Sequence, residues 1–407
     1  MNNNIETILK NQLIDQKLNS KIFKTEKYLS KNYFPTSIKF REREFRQLGQ
    51  LFKNLFKITE NSINFFQTVT LIGPIGCGKS TVAKIFGQEI EKYAQEIDMK
   101  TKIIYRHINC RRNKSIFLIL FDLMKGLIPN FPNRGFSSLE LINMLHIVLN
   151  SSNSYLILTL DEIDFIFHDK ELDLFFQNLS MESYENKSFL ERRISLLFIT
   201  RNKDFLLLLD PNNKFGIINN IIKFEKYSNS EIKQILFSKV TDSFNEGVLP
   251  FSTLEFITNV SELIGDVRTA LEILWKSGKN AEQENSKIVE IVFVKKALKS
   301  VLFVELDNNW IFNSNEIDFL NFLKNNNEKI STNNQINMKS TKELFFIQYL
   351  TNIPTLEEKE SIFLNIIENF EKKKILEKNI LSTQESRNIS QFEYYLKINP
   401  SLLLQII

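Results

Sequence analysis

The sequence predicts an α/β fold: a parallel sheet covered by helices on both faces, then a small helical bundle, then a three-helix unit closed by a β-hairpin. Short apolar runs at 67–72, 102–108, 155–160 and 194–200 lack the alternation of half-exposed strands. Helix-length stretches separate them, and such spacing requires right-handed crossovers and therefore parallel pairing. From Tyr227 to about Leu302 the apolar positions Ile232, Ile235, Leu236, Val240, Leu254, Ile257, Leu271 and Leu274 fall at helical spacing, which predicts the bundle. Helical segments at 316–323, 342–350 and 356–370 then precede two β-like runs at 375–381 and 392–398, the order of a winged helix. The Asn-rich stretch 325–337 reads as a loop between its first two helices. The expected division is a core at 1–226 with an N-terminal helical extension, a helical unit at 227–302 and a winged helix at 303–407.

Each part has its own local justification. Ile5, Ile8, Leu9, Leu13 and Leu18 give the extension its helical period, and Phe45, Leu48 and Phe52 define a second amphipathic helix after Arg41-Glu42-Arg43-Glu44. The chain has 407 residues, 43% hydrophobic and 25% charged, which excludes disorder, collagen and coiled coil. Its 36 phenylalanines beside 11 glycines read as a drift of whole-proteome composition and carry no function. Cys77 and Cys110, with His107, His146 and His168, show neither a disulfide framework nor structural-zinc spacing. No apolar run approaches the roughly 18 residues of a membrane span, and MNNNIETILK lacks the basic-then-apolar order of a signal peptide. A reducing, cytoplasmic setting is the expectation. Charge is uneven: residues 1–60 carry 12 Lys/Arg against 6 Asp/Glu, 101–134 carry 7 against 1, and 301–407 carry 11 against 14. An anionic partner would favour the front of the chain.

The chemistry concentrates at Gly73-Pro74-Ile75-Gly76-Cys77-Gly78-Lys79-Ser80, a full G-x-x-x-x-G-K-[ST] between a strand and a helix, with Thr81 following. The glycines let successive N–H groups curl around phosphates, and the helix N-terminus adds positive potential. Lys79 would neutralise the β- and γ-phosphates and Ser80 would ligate Mg²⁺. About 80 residues later, Asp161-Glu162 follows an apolar strand at the edge where ligands of parallel sheets bind. Asp161 would hold the Mg²⁺ water shell and Glu162 would polarise the attacking water. Asn202, after the fourth strand, would orient that water, and Arg268, at a helix start in the bundle, would supply a cation to the same nucleotide.

These pieces together resemble the archaeal replication initiators, AAA+ relatives of the origin recognition complex large subunit and of its cell-division-control helicase-loading partner. The resemblance covers roughly residues 33–300. It rests on Arg41 to Glu44, Asn109-Cys110-Arg111, Gly135 to Leu141, Asp161 to Asp164, Tyr227 to Ile232, Phe244 to Leu249 and Gly265 to Leu271. It implies a P-loop AAA+ core binding ATP or ADP with Mg²⁺, a lid, and a winged helix that grip double-stranded origin DNA and help load a replicative helicase beside other initiator subunits. It also implies that the insertion 110–149 touches DNA. Arg111, Arg112, Lys114 and Arg134 there, with Arg387 in the wing, are the candidate DNA contacts, and binding through them should weaken steeply with salt.

Two departures qualify the resemblance. The family's trans-acting arginine segment reads Asp210-Pro211-Asn212-Asn213-Lys214 here, and lysine is a poorer fork for a γ-phosphate. Little stimulation of a partner's ATPase is expected, with slow hydrolysis in the chain's own site. The third helix of the last unit begins Leu356-Glu357-Glu358-Lys359-Glu360, whose carboxylates repel phosphates. Two readings stay open: an ATP-dependent origin-binding initiator, or a nucleotide-binding regulatory paralogue acting through protein partners. A clamp-loader-like ATPase fits the core but not the later motifs.

Overall fold

The computed structural model describes residues 20–30, 33–35, 38–57, 67–133, 135–172, 175–176, 193–201, 220–264, 266–302, 312–332, 335–336, 338–373, 375–380, 392–396, 400–401 and 404. The chain divides into two compact units, one of residues Asn32–Tyr227 and one of Met1–Lys31 with Ser228–Ile407.

The first unit is a five-stranded parallel sheet in the order β2-β3-β4-β1-β5. In chain order it contains α1 (Glu42–Phe52), β1 (Thr68–Ile72), α2 (Lys79–Glu96), β2 (Lys102–Asn109), α3 (Ile116–Leu127), α4 (Ser138–Ser151), β3 (Ser154–Asp161), β4 (Ile194–Thr200) and β5 (Ile221–Lys223). The four apolar runs read from sequence are β1 to β4. The fifth strand escaped prediction because three residues, Ile221 to Lys223, are too few to display any period. Residues of β3 and β4 are buried throughout, because side chains of opposite parity feed two separate cores. Ile104, Leu156, Leu158, Leu196 and Phe198 pack with α3 and α4 on one face. Ile103, Tyr105, Tyr155, Ile157, Leu197 and Ile199 pack with α1 and α2 on the other.

In the second unit, α5 (Asn229–Ser243), α6 (Phe251–Ile264), α7 (Val267–Gln283) and α8 (Ile291–Leu302) form the expected bundle. A capping box between Ser228 and Glu231 starts α5, and the Asp266 side chain caps α7. Of the N-terminal extension, the helix expected over Ile5 to Leu18 lies outside the described residues, but 20–30 are placed against this bundle. Phe23 pairs with Phe244 at 4.7 Å between ring centroids, Trp275 Nε1 donates to Glu26 at 2.7 Å, and Lys279 pairs with Glu26. Gly278 makes room for Phe23, since a Cβ there would stand 2.2 Å from the ring. The extension was expected to belong with the core at 1–226; its aromatic and ionic partners put this segment with the lid helices instead.

The last stretch holds α9 (Ser314–Ile330), β6 (Ser331–Thr332), β7 (Gln335–Ile336), α10 (Met338–Gln348), α11 (Leu356–Lys372), β8 (Leu376–Ile380) and β9 (Phe392–Leu396). The four strands form an antiparallel sheet in the order β6-β7-β9-β8. Phe319 seeds the packing of the three helices through edge contacts with Phe345, Phe363 and Phe370. Of the Asn-rich stretch expected as a loop, the described residues instead continue α9 to Ile330 and then pair as β6 and β7. Asn326 explains part of this: its Nδ2 donates to Phe322 O at 3.0 Å and to Gln348 Oε1 at 2.9 Å, so a tertiary partner overrides weak helix propensity. Among the described residues no helix is long and apolar enough to cross a membrane.

Candidate functional site

Sheet order and register assemble the site. Ile72 lies beside Thr200, and Asp161 lies beside both Asn109 and Ile199, so the carboxyl ends of β1 to β4 meet along one edge. The loop leaving β1 turns through Gly76 at φ 74° and Gly78 at φ 93°, conformations that cost little only for glycine. Gly73 is required for another reason, because a Cβ there would stand 2.3 Å from the Phe224 carbonyl oxygen. Gly78 caps α2, and Thr81 sits in its first turn.

Lys79 is 7% exposed, and its ammonium donates to the carbonyls of Gly73 and Pro74, both at 2.6 Å. Burial holds its pKa below the ordinary lysine value. Its described partners are neutral, so a buried positive charge stands at the mouth of the glycine loop without a carboxylate in ion-pair contact, and that suits an anion.

Asp161 ends β3. Burial would raise its pKa, but interactions with His107, Ser80 and the Lys84 cation outweigh it and hold the carboxyl below its usual range. Ser80 at the start of α2 and Asp161 at the end of β3 offer a hydroxyl and a carboxylate at the same sheet edge, an oxygen donor set that fits Mg²⁺ held through water and phosphate. His107 Nε2 lies 3.0 Å from Asp161 Oδ2; its Nδ1 lies 3.1 Å from Tyr105 Oη, which accepts from Thr159 Oγ1 at 3.2 Å.

Glu162 adopts φ 55° and ψ 47°, a left-handed conformation that costs on the order of 1–3 kcal/mol in a non-glycine residue. Asn109 Nδ2 donates to its Oε2 at 3.2 Å, and Arg201 forms an ion pair with its Oε1. Asp164 accepts from Thr200 Oγ1 at 2.6 Å and so ties the segment after β3 to the end of β4.

Sequence reasoning missed several of these residues. His107, Tyr105 and Thr159 sit in buried strands without any motif, and only their parity on β2 and β3 hints that they meet. Asn109 and Arg41 entered only as parts of family motifs. Arg41 is 5% exposed and ties the loop to the strand edge: Nε donates to Cys77 O and Nη2 to Glu225 O, both at 2.8 Å. Its guanidinium also lies 3.9 Å from the centre of the Tyr227 ring.

Arg268 belongs to the second unit, where it is exposed and pairs with Asp266 at 3.4 Å. Arg111, Arg112 and Lys114 are exposed on the turn between β2 and α3, and Arg111 lies 5.6 Å from the Phe165 ring. Asn202, Arg134, Arg387 and the segment 210–214 lie outside the described residues.

A parallel five-stranded sheet with a glycine loop after β1 and acidic residues after β3, in a chain that also carries a four-helix lid, defines the core of a AAA+ ATPase. Residues 233–299 match the family model of the Cdc6 AAA+ ATPase-type lid domain. The chain is 31% identical over 296 residues to ORC1-type DNA replication protein 2 of Sulfolobus acidocaldarius, covering 71% of this chain and 69% of that one. It is 32% identical over 285 residues to the corresponding protein of Sulfurisphaera tokodaii, covering 68% and 66%. It therefore spans about two thirds of the length of these relatives. Its fold is similar to that of the Aeropyrum pernix ORC1 protein solved in complex with DNA, with a TM-score of 0.62, 20% identity and coverage of 96% and 97%. It is likewise similar to the Aeropyrum pernix ORC2 protein solved as ADPNP–ADP complexes, with a TM-score of 0.63, 17% identity and coverage of 95% and 97%. The chain belongs to the ORC1-type family of DNA replication proteins, the Cdc6/Orc1 group of AAA+ ATPases.

Proposed function

We propose that the chain is an ATP-binding replication initiator that engages double-stranded origin DNA, hydrolyses ATP slowly and helps load the replicative helicase. The observation that carries the nucleotide part is the buried Lys79 ammonium, held by neutral acceptors of its own glycine loop, with the Asp161 charge acting on it. A triphosphate would draw Lys79 off the Gly73 and Pro74 carbonyls onto its β- and γ-oxygens, with the loop amides from Gly76 to Thr81 around it. Ser80 and Asp161 would hold Mg²⁺, which supplies charge neutralisation as the phosphoryl group leaves. Glu162 would orient water once free of Asn109 and Arg201, with Asn202 beside it, and Arg268 would act from the lid.

DNA contact is assigned to Arg111, Arg112, Lys114 and Arg134 of the insertion and to Arg387 of the wing. The relatives are named as DNA replication proteins and one protein of similar fold was solved in complex with DNA, which supports this part. Nucleotide titration by calorimetry tests the site: binding to the wild type, none to Lys79→Ala, and retained ATP in Glu162→Ala are expected. Unchanged binding in the lysine variant would refute the loop assignment.

One observation favours a second reading, a regulatory paralogue working through proteins. Leu356, Glu357 and Glu358 are exposed at the start of α11, an acidic face ill suited to phosphates. Gel-shift of origin-proximal against random duplex across salt separates the two, and a ratio near one abandons the initiator reading.

A further inference from the structure

The chain Thr159–Tyr105–His107–Asp161 links the interior of the sheet to the edge that bears the glycine loop. One proton arrangement of the neutral ring satisfies the whole chain. Tyr105 Oη accepts from Thr159 Oγ1 at 3.2 Å, so its own hydrogen is free for His107 Nδ1 at 3.1 Å. An accepting Nδ1 leaves the hydrogen on Nε2, which donates to Asp161 Oδ2 at 3.0 Å. Tyr105 is only 7% exposed, and burial raises its pKa, so it remains a phenol able to donate. It is also sterically fixed. A Cβ at Gly87 of α2 would lie 2.0 Å from its ring, so the helix that begins at Lys79 presses directly on it.

We propose that His107 is a positioning residue: held as the Nε2–H tautomer by Tyr105 and Thr159, it fixes the Asp161 carboxylate beside Ser80 so that Mg²⁺ meets a preorganised oxygen pair. The proposal rests on the nucleotide reading above. His107 does not touch nucleotide or metal; it removes the rotational freedom of a carboxylate that would otherwise have to be ordered on binding. The same logic makes outer partners of metal ligands worth about 10- to 100-fold in metal affinity.

The full chain is titrated with Mg²⁺ at fixed concentration of an N-methylanthraniloyl ATP, and the nucleotide's own affinity is measured in EDTA. His107→Ala should raise the half-saturating Mg²⁺ about 10- to 100-fold while leaving the affinity in EDTA unchanged within about twofold. His107→Gln, whose amide donates from a similar reach, should restore most of the Mg²⁺ response, and Tyr105→Phe should fall between. In nucleotide-free protein labelled with ¹⁵N-histidine, one ring should show the Nε2–H signature, vanish in His107→Gln and shift toward mixed tautomers in Tyr105→Phe. An unchanged Mg²⁺ half-point in folded His107→Ala, an equal loss with and without Mg²⁺, or an Nδ1–H tautomer would each overturn the proposal. Absence of binding by the wild type in both conditions would instead sink the nucleotide reading, and this proposal with it.

Discussion

Arg201, the residue after β4, forms an ion pair with Glu162, the residue after β3, while Asn109 holds the other oxygen of the same carboxylate. The neighbouring ends of β3 and β4 set this triangle, and it keeps Glu162 occupied in a left-handed backbone conformation. Because the Arg201 side chain is 42% exposed, the pair stabilises the fold little. Arg201→Ala should change the free energy of unfolding by less than about 1 kcal/mol yet raise basal ATP turnover by releasing Glu162. Denaturant melts with a phosphate-release assay check this, and lower turnover in a well-folded variant would count against it.

Gly87 and Tyr105 make a second, purely steric prediction. With a Cβ at residue 87 only 2.0 Å from the Tyr105 ring, Gly87→Ala must displace that ring or α2. Overpacking of this kind costs about 1–3 kcal/mol, which should appear as a lower urea midpoint. Gly49→Ala in α1, where a Cβ meets nothing within 4 Å, is the control and should match or exceed the wild type.

His146 on α4 gives a pH signature. Burial lowers its pKa, and among the described residues its Nδ1 has no hydrogen-bond partner. The unfolded chain therefore takes up a proton near pH 6.5 while the folded chain resists. Stability should be flat above that pH, fall as pH drops from about 6.5 through the lower folded value, and level off beyond it. His146→Leu should flatten this segment of the stability–pH curve, and a curve unchanged by the substitution would rule His146 out as its source.

Under the DNA reading, Arg111, Arg112 and Lys114 act on phosphates. Each substitution by alanine should weaken duplex binding about equally for all sequences and reduce the slope of log K against log salt by roughly 0.9 per lost phosphate contact. Fluorescence anisotropy over a salt series measures it. A variant with unchanged slope would place the basic cluster outside the interface.

What the amino-acid order decided by itself is local. A strand, a glycine loop and a helix start are each written in neighbouring residues, so 73–81, the four longer strands and the lid helices were legible without coordinates. The acidic pair at Asp161 and Glu162, commonplace after a strand by itself, is recognised only in company with the glycine loop upstream. What surrounds those residues depended on which strands lie side by side. The order β2-β3-β4-β1-β5 carries His107 and Asn109 to Asp161 and Glu162 across more than fifty residues of chain, and no local pattern encodes such a meeting. Asn326 remained helical because Gln348 offered it a partner, and the segment around Phe23 joined the lid because Gly278 left space for its ring. Propensity and period act over a few residues, whereas hydrogen-bond satisfaction and close packing are settled only when distant segments arrive together.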